Sequence, residues 1–142
     1  MPLIKYSRNS DGTYGPTAVR KDFYVSKADH RKTARRKKDK TRWCINEGEE
    51  YSVFQPASDR YDLWFCKVNN CIFGLVDGGS VVLGENGERL AKFPNDRVKN
   101  EPWHGYPVFS EASQNRPSSE LLDLVKDLIP LHVRIKLEKG LL

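Results

Sequence analysis

Short runs in which apolar and polar residues alternate fill the middle of the chain, between residues 43 and 93. Alternation with a period of two is typical of β-strands. Turn-forming residues separate several runs, among them Asn69-Asn70 and Asn86-Gly87, the strongest hairpin signal in the chain. The pattern therefore predicts an antiparallel β-meander of four or more strands over residues 43–93. The predicted strands cover residues 43–45, 51–55, 61–68, 71–76, 80–84 and 89–93.

The spacing changes to a helical period in residues 118–142, where Ser118 gives a start signal and Pro130 a stop. The residues that supply an apolar face are Leu121, Leu122, Leu124, Val125, Leu128 and Ile129, and the ones expected to contact the meander are Leu121, Leu124, Val125 and Leu128. We expect this face to pack on the meander, because neither element can bury its apolar surface alone. Beyond Pro130, alternating polarity favours a final strand, and a short second helix that ends at Gly140 is the alternative.

Two further segments flank the predicted sheet. Residues 27–42 form a basic arm without Gly or Pro, and Ser26 with Asp29 resembles a capping box, so we predict a helix there. Because this helix has no apolar stripe, it needs an anionic partner to be stable. Residues 94–117 hold four prolines and predict an irregular loop. The pattern thus predicts one α+β domain over residues 1–142, with residues 1–26 as an N-terminal extension.

Charge is distributed unevenly along the 142 residues. Residues 1–42 hold 13 Lys and Arg against 4 Asp and Glu, whereas residues 43–142 hold 11 against 15, and the net charge is +5. Such asymmetry is typical of an arm that binds an anionic partner, although the arm can also fold back on the acidic remainder. No apolar run approaches ~18 residues, so we expect no membrane span. Three cysteines without an apolar leader favour a reducing, cytoplasmic setting.

The basic arm is the clearest functional pattern in the sequence. Only two carboxylates, those of Asp29 and Asp39, accompany its nine cations. On a helix, Arg31, Arg35 and Lys38 follow one face, a spacing that suits the phosphates of a nucleic acid. An acidic protein is the alternative partner. The candidate nucleic-acid-binding residues are Lys27, Arg31, Lys32, Arg35, Arg36, Lys37, Lys38, Lys40 and Arg42.

A loop with the sequence WHGYP, at residues 103–107, carries the candidate catalytic residue, His104. A histidine with a cation such as Arg97 nearby can act as an acid or a base beside a phosphate. Cleavage of RNA by its own 2′-hydroxyl needs a base, an acid and a cation, but no cofactor. The alternative is structural, with the aromatic residues of the loop closing the core. His30 and His132 have no evident partner in the sequence.

The three cysteines, with His104 as a possible fourth ligand, are the candidates for a zinc site. Cys66 and Cys71 are separated by four residues, which is a marginal spacing for zinc. The predicted turn between them makes the two thiols diagonal neighbours, and buried free cysteines are common in cores. We therefore predict no metal site. Because the sequence has no motif for nucleotide phosphates, for a catalytic serine or for zinc hydrolysis, we also predict no cofactor.

Three functions fit these observations. The leading hypothesis is a non-enzymatic module that binds nucleic acid or another polyanion through the basic arm. The second is a metal-independent, toxin-like ribonuclease in which His104 is the acid or the base. The third is an adaptor whose basic arm docks on an acidic protein. A location of His104 in an open cleft, with a cation and a second acid–base group, favours the ribonuclease.

Overall fold

A four-stranded antiparallel sheet lies at the centre of the fold. The structure is a computed structural model, and it describes residues 3–33 and 40–142. The strands are β1 (Phe65–Cys66), β2 (Cys71–Gly74), β3 (Leu90–Pro94) and β4 (Tyr106–Val108). Each strand pairs with the next in antiparallel fashion, in the order β1-β2-β3-β4. The predicted α+β class and a four-stranded antiparallel sheet are therefore confirmed, although only three of the strands begin within residues 43–93.

Three of the predicted strands are absent from this sheet. The predicted strand at residues 80–84 is wrong, and the one at residues 43–45 reduces to an isolated bridge between Trp43 and Gly84. The fourth strand is β4, which comes from the predicted irregular loop at residues 94–117. This strand contains a proline, which it tolerates because it is the edge strand of the sheet.

Helix α1 (Glu47–Asp59) replaces the strand predicted at residues 51–55. Asn46 and Glu49 form a capping box, in which the Asn46 N–H donates to Glu49 Oε1 at 2.9 Å and the Asn46 side chain accepts from the Glu49 N–H. The aromatic and β-branched residues of the run suggested a strand, but the cap and the helical spacing of the buried residues override that preference. The buried residues of α1 are Gly48, Glu50, Tyr51, Val53, Phe54, Ala57 and Ser58.

The segment predicted as a strand at residues 61–68 begins as a helix. Helix α2 (Tyr61–Trp64) follows α1 closely, and only the short strand β1 enters the sheet. The turn at residues 67–70 has four residues rather than the predicted two. It therefore pairs Cys66 directly with Cys71 instead of placing them diagonally, and both thiols are buried in the core.

Both faces of the sheet are covered, which divides the apolar core into two parts. On one face, Ile72 and Phe93 pack with α1 and with aromatic residues of the N-terminal segment such as Tyr24. On the other face, Phe73 and Leu90 pack with residues of the C-terminal helices. A sheet that is buried on both faces explains why β2 and β3 are apolar almost throughout.

The C-terminal helices are α3 (Ser119–Leu124) and α4 (Leu131–Glu138). The predicted start of the first helix is confirmed, because Ser118 Oγ accepts a hydrogen bond from the Leu121 N–H at 3.2 Å. Of the four residues that were expected to contact the meander, only Leu121 and Val125 are buried. Leu124 and Leu128 are exposed. The residues that pack into the core are Leu121, Leu122, Val125 and Ile129.

Residues 131–138 form the second helix and not the final strand that alternating polarity favoured. Val133 and Leu137, which are four residues apart, are buried. Leu131 and Ile135 are 70% and 39% exposed. The alternation therefore reflects a single buried helical stripe, which needs only every fourth residue of this run to be apolar.

The described part of the basic arm does not have the predicted helical start. Residues 28–30 form one turn of 3₁₀ helix, and Arg31 is extended, with φ −64° and ψ 151°. Ser26 does not cap this turn, because its hydroxyl donates to the buried Glu50 instead. Residues 34–39 lie outside the described residues, so the helix predicted there stays a prediction.

Helix length bears on membrane insertion, since a membrane-spanning helix needs ~20 residues. Helix α1 has 13 residues. Within residues 3–33 and 40–142, no helix combines the length and the apolar character needed to cross a membrane.

The burial pattern of α3 predicts different costs for two neighbouring leucines. Leu122 is 2% exposed, whereas Leu124 is 53% exposed. Leu122→Ala should lower the free energy of unfolding by ~2–5 kcal/mol, through lost apolar transfer and a cavity. Leu124→Ala, the matched control, should cost about 1 kcal/mol or less. Denaturant melts of both variants measure the difference, and equal costs contradict this placement of α3.

Candidate active site

A cleft of about 770 Å³ lies beside the edge strand β4 and contains both His30 and His104. Its lining brings two histidines, a lysine, two carboxylates and a phenol together from distant parts of the chain. Groups of these kinds can transfer protons and hold an anion. The lining residues are His30, Lys40, Thr41, Pro94, Asp96, His104, Tyr106, Val108, Phe109, Glu111, Ala112 and Asn115.

Backbone pairing between two distant segments brings the histidines to one cleft. The Trp103 N–H donates to the Phe23 carbonyl, and the Val25 N–H donates to the Trp103 carbonyl, both at 2.8 Å. His104 directly follows Trp103, and His30 ends the short 3₁₀ turn that comes after Val25. The position of each histidine therefore depends on the same pair of segments.

The buried carboxyl group of Glu50, in α1, holds the segment that leads to His30. Tyr24 Oη donates to Glu50 Oε1 at 2.7 Å, and Ser26 Oγ donates to Glu50 Oε2 at 2.9 Å. Arg31 Nη2 donates to the Ser26 carbonyl at 2.8 Å. Glu50 is 0% exposed, and burial, the largest influence, raises its pKa to about 8. The residues before and after His30 are thus tied to α1.

One hydrogen bond and one ring stack hold His30. Its Nδ1 donates to the Thr41 carbonyl at 2.6 Å, and its ring stacks on that of Tyr106, with centroids 4.7 Å apart. Because a carbonyl only accepts, this bond leaves the lone pair of the neutral ring on Nε2. Burial is the largest influence on the pKa of His30 and lowers it, as do the charges of Lys40 and His104. The hydrogen bond to Thr41 acts in the opposite direction. His30 therefore has the properties of a base.

His104 contacts a carboxylate instead. Its Nε2 donates to Asp96 Oδ1 at 3.1 Å, and its side chain is 18% exposed. Its Nδ1 is shielded from solvent and has no hydrogen-bond partner among the described residues. Nε2 is then the ring nitrogen that a substrate can reach. Since a carboxylate accepts hydrogen bonds, Nε2 carries the proton in this contact, and His104 can act as a proton donor there.

Four more side chains supply charge and hydrogen-bonding groups to the cleft. Lys40 is exposed and contributes a positive charge. Thr41 Oγ1 is shielded from solvent and has no hydrogen-bond partner in the described part of the chain. Burial raises the pKa of Tyr106, which keeps its phenol protonated at neutral pH. Lys92, in β3, donates to Asn115 Oδ1 at 3.1 Å and orients that amide.

The structure separates the nine cations of the basic arm into three groups. Arg31 and Arg42 are half-buried and form ion pairs, Arg31 with Glu47 at 3.6 Å and Arg42 with Glu85. The exposed members are Lys27, Lys32 and Lys40, of which Lys40 lines the cleft. The members outside the described residues are Arg35, Arg36, Lys37 and Lys38.

His104 was predicted from the sequence as a candidate catalytic residue, whereas no role was predicted for His30. The two residues are far apart in the sequence, and only the tertiary pairing at Trp103 joins them, so no local pattern connects them. The position of His30 inside the basic arm was the one available signal. The cation of the cleft is Lys40 and not Arg97, which lines a different cavity.

The cysteines do not contribute to the cleft. All three are free thiols, of which Cys66 and Cys71 are buried. Burial raises the pKa of Cys71 to about 12, as expected of an unreactive core thiol. Among residues 3–33 and 40–142, no group of three or more His, Cys, Asp or Glu side chains is arranged to hold a metal ion.

The chain matches no protein-family model, no curated protein and no solved structure. The chemistry of the cleft therefore carries the functional inference.

The raised pKa of Glu50 predicts how stability depends on pH. The carboxyl group has an ordinary pKa of 4.5 and titrates at about 8 in the fold. Between these values the folded state keeps a proton that the unfolded state has lost. The contribution of Glu50 to stability is therefore complete below pH 4.5 and is lost as the pH rises to about 8. The free energy of unfolding should fall by up to ~1.4 kcal/mol per pH unit in this window.

Glu50→Gln is the matched variant, because it keeps the shape of the side chain but cannot ionise. Denaturant melts of both proteins at pH 5 and pH 8 give the difference in their free energies of unfolding. Between pH 5 and pH 8, the wild type should lose roughly 2–4 kcal/mol of its free energy of unfolding relative to the variant. A difference that is the same at both pH values shows that Glu50 is not a neutral acid in the fold.

Proposed function

We propose that the protein is a ribonuclease that cleaves RNA without a metal ion, by attack of a ribose 2′-hydroxyl on the adjacent phosphodiester. The presence of His30, His104 and Lys40 in one cleft is the observation that supports this proposal most directly. They supply the base, the acid and the cation that the reaction needs.

The reaction transfers one proton at each histidine. Nε2 of neutral His30 takes the proton of the 2′-hydroxyl while that oxygen forms a bond to phosphorus. The bond from phosphorus to the 5′-oxygen of the next nucleotide breaks, and the imidazolium form of His104 gives its Nε2 proton to that oxygen, which replaces Asp96 as the acceptor of this proton and leaves His104 neutral. The products are a 2′,3′-cyclic phosphate and a 5′-hydroxyl, so neither an oxidant nor a water molecule is consumed.

The surroundings of the two histidines differ in the direction that these roles require. Burial and the charge of Lys40 favour neutral His30, whose Nδ1 is already committed to the Thr41 carbonyl. His104 instead donates from Nε2 to the carboxylate of Asp96, which holds a proton on the nitrogen that has to give one up.

The charge that develops on the phosphate during the reaction also has partners in the cleft. Lys40 contributes a positive charge, and the hydroxyl of Thr41 has no competing partner among the described residues. Fixed donors and cations stabilise such a transition state more than water does, because they are already oriented.

The basic arm supports binding of RNA at the same place. His30 lies between the exposed side chains of Lys27 and Lys32 in the chain, and Lys40 lines the cleft itself. Cations around a cleft attract a polyanion and neutralise its phosphates. Binding of nucleic acid without cleavage is therefore the second candidate, and these same cations favour it.

Substitution of each histidine tests the proposal. His30→Asn keeps an amide donor near the Thr41 carbonyl, and His104→Gln keeps one near Asp96. Each should lower the rate of cleavage of a mixed-sequence RNA by at least ~100-fold, because a base or an acid is lost. His132→Asn, at an exposed histidine of α4 outside the cleft lining, should cleave at the wild-type rate.

The assay is run in excess EDTA, and mass spectrometry identifies the product ends. Wild-type protein should leave a 2′,3′-cyclic phosphate and should not cleave the same strand made of DNA. Thermal melts establish that each variant is folded. Wild-type rates in both cleft variants overturn the proposed chemistry, and salt-sensitive RNA binding by a wild-type protein that cleaves nothing favours the binding module instead.

A further inference from the structure

A second cavity, of about 600 Å³, gathers four cations. It is termed the cationic groove and is defined by Arg20, Lys21, Arg97 and Lys99. Two carboxylates, those of Asp22 and Glu101, also line it. Asp22 is already engaged, because it accepts hydrogen bonds from Arg20 Nε and Ser58 Oγ, both at 2.9 Å. The groove therefore has an excess of positive charge.

Aromatic rings hold both arginines of the groove. The guanidinium carbon of Arg97 lies 4.1 Å from the centroid of a Trp103 ring, and that of Arg20 lies 3.8 Å from the Tyr61 centroid. Arg97 Nη1 also donates to the Glu101 carbonyl at 2.8 Å. Stacking fixes the planes of these cations and leaves their edges able to donate to an anion.

Three cations of the groove keep donors that are not used by the described residues. Arg97 Nε is shielded from solvent and has no hydrogen-bond partner among the described residues. Burial lowers the pKa of Arg97, which shows that this cation is partly desolvated. Lys21 and Lys99 are exposed and form no ion pair with a described residue. A desolvated cation with an unused donor is stabilised when an anion supplies the missing hydrogen bond.

One stretch of chain separates the groove from the cleft of the histidines. Pro94 and Asp96 line the cleft, whereas Asn95 and Arg97 line the groove. Because consecutive residues face opposite cavities, the two lie on either side of a single extended segment. A nucleic-acid strand bound in the cleft has to cross only this segment to reach the groove.

We propose that the cationic groove binds RNA phosphates that flank the scissile phosphodiester. The position of the scissile bond rests on the proposed function, whereas the groove itself requires only an anionic strand. Phe23 lines the groove and is 39% exposed, so its ring offers an unpaired base a surface for stacking. The preferred substrate is thus single-stranded RNA that extends beyond a dinucleotide.

Binding of an uncleavable RNA tests the groove separately from catalysis. The probe is a fluorescent 2′-O-methyl RNA of about 12 nucleotides, and anisotropy gives its Kd over a range of salt concentrations. The double variant Lys21→Gln, Lys99→Gln should raise Kd at least ~5-fold at low salt. It should also reduce the salt slope of log Kd by about 0.7 for each phosphate that the variant no longer neutralises. The control is Lys136→Gln with Lys139→Gln, which removes two exposed cations of the C-terminal segment and should leave the slope unchanged.

Cleavage of a dinucleotide supplies the second readout. The groove variant should cleave a dinucleotide at the wild-type kcat/KM but lose the advantage of longer RNA. An unchanged Kd and slope, or equal losses for the dinucleotide and the longer strand, overturn the proposal. A third outcome is that the wild type cleaves no RNA, while the groove variant, unlike the control variant, binds the 2′-O-methyl RNA more weakly. In that case the ribonuclease proposal fails and the groove remains an anion site.

Discussion

The pairing of residues 23–25 with Trp103, anchored on the buried carboxyl group of Glu50, is the constraint on which the cleft depends. Tyr24 lies at this junction, where it donates to Glu50 and packs against Phe54 of α1 and Phe93 of β3. The sheet, the first helix and the segments that carry both histidines therefore meet at one buried side chain. A substitution that breaks this junction should therefore move the two histidines apart, although it changes neither of them.

Desolvation acts on three groups of the molecule in the directions that their roles require. It raises the pKa of Glu50, so the anchor is a neutral acid that the core tolerates at neutral pH. It lowers the pKa of His30, which keeps a lone pair available in the cleft. It lowers the pKa of Arg97 and leaves a cation with an unused donor. One physical effect thus acts on the anchor and on the groups that we propose as the base and the anion site.

Sequence patterns predicted the parts of the fold that depend on local chemistry. The start of α3 at Ser118 and a strand in each of the predicted runs 71–76 and 89–93 follow from a cap and from polarity, which are local properties. Residues 51–55 were misjudged because their β-favouring side chains are buried by tertiary packing of a capped helix. Strand β4 was missed because a short edge strand with a proline resembles a loop.

The site was only partly predictable for a similar reason. The aromatic loop around His104 was visible in the sequence, whereas the partner histidine is joined to it only through the folded core. The carboxylate that contacts His104 is Asp96, which belongs to the same irregular segment but carries no motif. Side chains that come together only in the folded state have no characteristic spacing in the sequence, so their contact cannot be inferred from it.

Nuclear magnetic resonance of the three histidine rings tests the central claim most directly, because it asks whether His30 and His104 share one RNA site. The measurement is a titration of the wild-type protein with an uncleavable 2′-O-methyl dinucleotide. The account predicts that the ring signals of His30 and His104 shift together, with a single Kd, while the exposed His132 does not respond. Shifts at only one of the two cleft histidines, or equal shifts at His132, contradict a shared catalytic cleft.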